Sequence, residues 1–129
     1  MTLPTTEVRD LLLADEQFSA IIPPEKCFAL FIPEEFQTVD SAPVALLTPV
    51  SDVPYDFASN KSISKQNAIQ LQIWTLYDDE NLSEFDDIVT NIMEPAGWYE
   101  YWGFGAVKDP TIDLLVTTWR FRKITYKSN

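Results

Sequence analysis

The sequence predicts an α+β domain, with two helices packed on a mixed or mainly antiparallel sheet of four to five strands and a long loop between the second and third strands. Three observations carry this expectation. Val8, Leu11, Leu12, Phe18 and Ile22 recur at the spacing of a helix with one buried face. Ile69, Leu71 and Ile73 alternate with Gln70, Gln72 and Trp74, the period of a strand that lays one face on a core. Leu82, Phe85, Val89 and Ile92 again line one helical face, ahead of a closing region rich in aromatic and β-branched residues that suit a sheet.

The first helix follows Thr5 and Thr6, either of which supplies a capping hydroxyl. It is expected to break near Asp15 and to stop at Pro23-Pro24. Two short apolar runs come next, residues 26–32 and 43–48, bounded by Pro and acidic residues as buried strands are; they are expected to pair as a hairpin with a broad connection. Residues 49–66 are rich in Ser, Asp, Asn and Pro and longer than most connections in a compact domain. That length suggests a functional loop, with Tyr55, Phe57 and Ile63 as its apolar content.

Asn81-Leu82-Ser83-Glu84 has the form of a capping box for the second helix, which Pro95 ends. An aromatic stretch from Trp98 to Phe104, a turn at Lys108-Asp109-Pro110 and a last run over residues 112–127 read as strands. Drawn straight, the last run would span roughly 45–50 Å at about 3.3 Å per residue. A domain of this length is only roughly 35 Å across. The strand must therefore bend, break or project, and a projecting edge is a place for a neighbouring copy to dock.

A chain of 129 residues is expected to form one domain, 46% of it hydrophobic and 13% aromatic, which excludes a disordered chain. Asp and Glu number 20 against 9 Lys and Arg, a net charge of -11. Such a surface repels nucleic-acid phosphates and anionic lipid, which argues against sequence-specific DNA reading, although a wall past which DNA slides gains from not binding it. Cys27, the single cysteine, sits among apolar neighbours and reads as a buried small hydrophobe. The amino terminus has no basic and apolar leader pattern, and no apolar run approaches a membrane span, so synthesis in the cytoplasm and no membrane partner are expected.

The chain contains no His, which removes the commonest general base, the Ser-His and Cys-His nucleophile systems and most zinc sites together. Glycine patterns that cradle phosphate are missing too; Gly103-Phe104-Gly105 is a fragment of one. The paired acids Asp86-Asp87, Asp78-Asp79-Glu80 and Glu34-Glu35 offer glycosidase or hard-metal chemistry in principle, but they lack calcium-loop spacing and read as solvated charge. No catalytic residue, cofactor or metal is therefore assigned. Trp98 and Trp102 read as packing or interface residues in preference to a sugar platform.

Charge is distributed asymmetrically. Arg120, Arg122, Lys123 and Lys127 place four of the nine basic residues in the final strand, whereas Asp78, Asp79, Glu80, Glu84, Asp86 and Asp87 crowd the start of the second helix. One reading is an edge protected by charge. The other is head-to-tail association, in which Arg120, Arg122 and Lys123 of one copy face Glu84, Asp86 and Asp87 of the next and a ring closes by rotation.

The opening helix Val8-Arg9-Asp10-Leu11-Leu12-Leu13-Ala14-Asp15, the strand Ile69-Gln70-Leu71-Gln72-Ile73-Trp74, the helix behind it from Phe85 to Met93, and the closing Trp119-Arg120-Phe121-Arg122 together resemble the tail terminator, or tail completion, proteins of long-tailed bacteriophages. The likeness lies in hydrophobic spacing over nearly the whole chain; residues 33–49 and 98–104 fall outside it. It implies a hexameric ring at the head-proximal end of the tail tube that halts tube growth, meets the head connector proteins and leaves a channel for DNA. It also implies that the loop over residues 51–64 touches the tube protein or a neighbouring subunit through Tyr55, Phe57 and Lys61. Competing readings are another neck protein of the head-tail junction, an acidic DNA mimic that inhibits a host nuclease, and a carbohydrate-binding module built on Trp98 and Trp102.

Overall fold

A computed structural model describes residues 3–50 and 64–126. The α+β class and the mixed sheet are as the sequence predicts. The elements run α1 (Pro4–Ala14), α2 (Glu16–Ile21), β1 (Cys27–Ala29), β2 (Val44–Pro49), β3 (Ser64–Thr75), α3 (Phe85–Met93), β4 (Tyr99–Lys108) and β5 (Leu115–Tyr126). Five strands form one sheet in the order β1-β2-β3-β5-β4, parallel between β1 and β2 and antiparallel elsewhere.

The expected break at Asp15 is a clean division of the first helix into two, giving three α-helices among the described residues where two were expected. Asp15 closes α1 with its backbone N–H on Leu12 and opens α2 by accepting the Phe18 N–H at 2.9 Å on its side chain. The start of α1 differs from the expected threonine cap. Leu3 is the capping residue and Pro4 occupies the first turn, where its missing N–H costs no hydrogen bond; Thr5 is buried instead. Likewise the predicted capping box is not formed. Residues 81–84 are turns, Glu84 precedes the helix without a side-chain cap, and α3 starts at Phe85.

The expected hairpin between the first two strands is a parallel pair, Cys27 to Ala29 beside Ala45 to Leu47. Residues 30–43 are long enough to carry the chain back to the start of a parallel strand, which needs about a dozen. Short 3-10 turns at Glu34–Phe36 and Val39–Ser41 compact this connection, and Phe36 packs on Phe28 with ring centroids 5.1 Å apart.

The core lies between the helices and one sheet face. Ile69, Leu71 and Ile73 of β3 stand beside Phe121, Trp119, Leu47 and Ala45 of the flanking strands, and Val8, Leu12, Phe18, Phe85, Val89 and Met93 close over them. Burying each such side chain contributes roughly 1.5–3 kcal/mol. Gly97, with φ 90, takes the left-handed conformation that ends the turn after α3, and so delivers Trp98 into this core. The long closing run is one unbroken strand that starts at Leu115, after the bends of residues 110–114, and its far end projects: the rungs from Asn67↔Lys123 to Ser64↔Tyr126 extend past Pro49 of β2 and Tyr99 of β4.

Because Phe121 is wholly buried and Phe104 is 55% exposed on β4, the two should respond differently to truncation. Phe121→Ala is expected to cost about 3–5 kcal/mol in urea unfolding. Phe104→Ala should change stability by no more than about 0.5 kcal/mol.

Candidate functional site

Three of the four tryptophans anchor through their indole N–H to a carboxylate. Trp98 Nε1 donates to Glu7 Oε2 at 3.1 Å, Trp119 Nε1 to Asp86 Oδ1 at 2.8 Å and Trp74 Nε1 to Asp109 Oδ2 at 2.8 Å. A buried or half-buried indole needs such a partner, so each of these acids has an oxygen committed to a tryptophan, although Asp86 itself stays exposed.

Asp109 is the most committed of them. Burial pushes its carboxyl up, but donation from Trp74, from the Thr111 and Ile112 backbone and from the Thr111 hydroxyl outweighs this and brings it down to about 2. Asp86 instead shares a cleft of about 320 Å³ with Glu100, lined also by Leu82, Gly103 and Trp119. Burial, then the like charge of Asp86, raises the Glu100 pKa. A Cβ at Gly103 would collide with the Glu100 carboxylate, so the glycine makes the room this acid occupies. Among the described residues no group of three or more His, Cys, Asp or Glu is placed to hold a metal ion.

The basic residues on β5 alternate with core residues, so Arg120 and Arg122 emerge on the sheet face opposite the helices. Arg120 Nε donates to Gln70 Oε1 at 2.8 Å, and its guanidinium lies 4.7 Å from the Trp102 ring centroid. Arg122 sits 5.5 Å from the Tyr101 ring. Trp102, Phe104 and Tyr99 are 43%, 55% and 57% exposed, so β4 presents aromatic rings and arginines together, the composition of binding hot spots. Two bulges, at Glu100/Trp102 and Phe104/Val107, disrupt this edge strand and blunt it against plain strand addition. What this face offers to solvent is therefore side chains, not a regular backbone edge.

The six residues expected at a subunit interface thus separate. Arg120 and Arg122 lie on the open face; Glu84 and Asp87 are exposed on the helical side; Asp86 holds Trp119. Lys123 pairs with Glu7 at 3.2 Å, the one ion pair among the described residues. Tyr55, Phe57 and Lys61 lie outside the described residues. What sequence reasoning missed is the role of tryptophan in sorting the acids. The signal was the count of four Trp in an acidic chain, but spacing does not tell which indole meets which carboxylate.

Cys27 is buried as expected, and burial pushes its thiol up to about 11 despite the Arg9 side chain nearby, whose Nε donates to the Cys27 carbonyl at 2.8 Å. Among the described residues no helix is long and apolar enough to cross a membrane. No protein-family model matches the chain, and no curated protein matches it.

A carboxyl held below its unfolded value stabilises the fold above that value, and the contribution is lost as pH falls through the folded pKa. Asp109→Asn is accordingly expected to lower stability near pH 7 by roughly 1 kcal/mol, a figure reduced for the partial solvent exposure of the site. Its deficit relative to the parent should shrink as pH falls from about 5 towards about 2, followed by thermal unfolding across that range.

Proposed function

We propose that this chain is a structural protein of a phage virion, a tail terminator. In this reading its copies join head to tail in a ring at the head-proximal end of the tail tube, stop tube growth and meet the head connector, while DNA passes through without specific binding. The observation that carries the assembly part is charge of opposite sign on opposite sides of a two-layer domain. Arg120 and Arg122 stand on the open sheet face, whereas Glu84 and Asp87 stand on the helical layer. Complementary patches on opposite sides make a heterologous contact, which propagates from copy to copy and closes into a ring when the rotation permits.

The tail-terminator part is supported by the sequence layout, in which the helix, strand, helix and closing strand fall in the order those proteins share. The remaining acidic surplus suits the wall of a channel for DNA. A catalytic role has less support, since the chain lacks His and the carboxylates of Asp86 and Asp109 are occupied by indoles. The DNA-mimic reading needs outward rows of carboxylates, and Glu7, Asp86 and Asp109 are turned onto tryptophans.

Light scattering over a concentration series, with electron micrographs of the same samples, tests the proposal. Closed rings of one size, or rings that form when purified tail tubes are added, are the expected outcome. A monomer at every concentration that ignores tail tubes would contradict it.

A further inference from the structure

The open sheet face has a second part beside its arginines. Val44, Leu46 and Trp74, with Phe36, Ile112 and Leu114 around them, line a mainly apolar groove of about 400 Å³, in whose wall Asp109 accepts the Trp74 indole N–H. Leu30 and Phe31 stand on its rim, 53% and 68% exposed. Leu30 is held there at φ 79, a left-handed conformation that costs a non-glycine residue about 1 kcal/mol or more. Further along the same face, past Gln72 and Thr118, stand Arg120 and Arg122, so apolar and cationic patches share one surface. In a chain of net charge -11, neither arginine has a carboxylate within ion-pair distance among the described residues, where the one such pair is Lys123 with Glu7.

The chemical complement of this surface stands at the margin of the groove, where the strand that carries Trp74 ends. The turn after β3 exposes Leu76 by 41% and Tyr77 by 49%, and Asp78, Asp79 and Glu80 follow at once. The turn is held ready: the Tyr77 hydroxyl hydrogen-bonds Asp113, and Asp79 Oδ1 accepts the Asn81 N–H at 2.8 Å. That leaves the exposed Asp78 and Glu80 as its outward charges. Two apolar side chains beside two carboxylates match an apolar groove beside two guanidiniums, and a preorganised turn loses little entropy on docking.

Resting on the assembly reading above, we infer that residues 76–80 of one copy seat on the open sheet face of its neighbour, Leu76 and Tyr77 entering the groove and Asp78 and Glu80 meeting Arg120 and Arg122. Residues 76–80 border the groove but do not line it, so the contact joins two different patches, as head-to-tail association requires. Desolvated aromatic and arginine side chains then form its centre, where binding energy concentrates.

A charge swap tests the contact by light scattering. Asp78→Lys with Glu80→Lys, and separately Arg120→Glu with Arg122→Glu, should each weaken self-association by about tenfold or more, given about 1.4 kcal/mol per tenfold. Mixing the two variants, or combining all four substitutions in one chain, should restore association, because the reversed turn then meets the reversed face. The milder pair Asp78→Asn and Glu80→Gln, with circular dichroism and unfolding midpoints unchanged, should weaken association in the same direction. If the parent associates and is weakened by the Arg120/Arg122 reversal but not by the Asp78/Glu80 reversal, or if folded variants fail to rescue each other, this contact is wrong while the assembly reading stands; an association that ignores both reversals removes the opposite-face assignment as well. A parent that never associates, alone or on tail tubes, removes both.

Discussion

The central strand β3 imposes the constraint on which the rest depends. It hydrogen-bonds to β2 on one side and to β5 on the other, so it cannot turn about its own axis without breaking both ladders. Its side chains must alternate, and Ile69, Leu71 and Ile73 therefore commit one face to the helices while Gln70, Gln72 and Trp74 go to the other. The partner strands inherit the choice through register: Phe121 and Trp119 lie inward with Ile69 and Leu71, and Arg120 lies outward with Gln70. Thus the same hydrogen-bonded ladder that builds the core also decides which face carries the arginines.

The acidic composition has two origins that the charge total conceals. Glu7, Asp86 and Asp109 serve indoles that would otherwise carry an unpaired N–H in a dry or half-dry setting, and leaving such a donor unmet costs about 1–3 kcal/mol. Asp78, Glu80, Glu84 and Asp87 are exposed and make no such bond among the described residues; their repulsion is offset only weakly by the dipole of α3, a few tenths of a kcal/mol each, roughly. Retaining them fits a surface that meets cations on another molecule.

Much of this architecture was legible from the chain. Strict alternation over residues 69–74 located the middle of β3, and the spacing of Phe85, Val89 and Ile92 located α3, because tertiary burial and local period agree there. Elsewhere they diverge. Ser64, Lys65, Gln66 and Asn67 carry no apolar alternation, so the strand's extension is set by pairing with β5 and leaves no local trace. Parallel pairing of β1 with β2 depends on where residues 30–43 run, which composition does not encode. Asn81 to Glu84 has the letters of a capping box, yet Asp79 bonds the Asn81 N–H and the chain turns once more before the helix begins. For the site, sequence distinguished basic strand from acidic helix; register shows that Arg120 and Arg122 share a face and Lys123 takes the other, and only packing shows that Lys123 meets Glu7 and Asp86 meets Trp119.

One sheet face forms the core, and the other is the surface proposed above for docking. Hydroxyl-radical footprinting of dilute and associated protein separates these roles residue by residue. Labelling of Trp74, Trp102 and Phe104 should fall on association, with Leu76 and Tyr77 protected in parallel, while Trp98 and Trp119 stay equally unreactive in both states. Protection confined to the helices, with the open face labelled as readily in the assembly as in the free chain, would contradict that proposal.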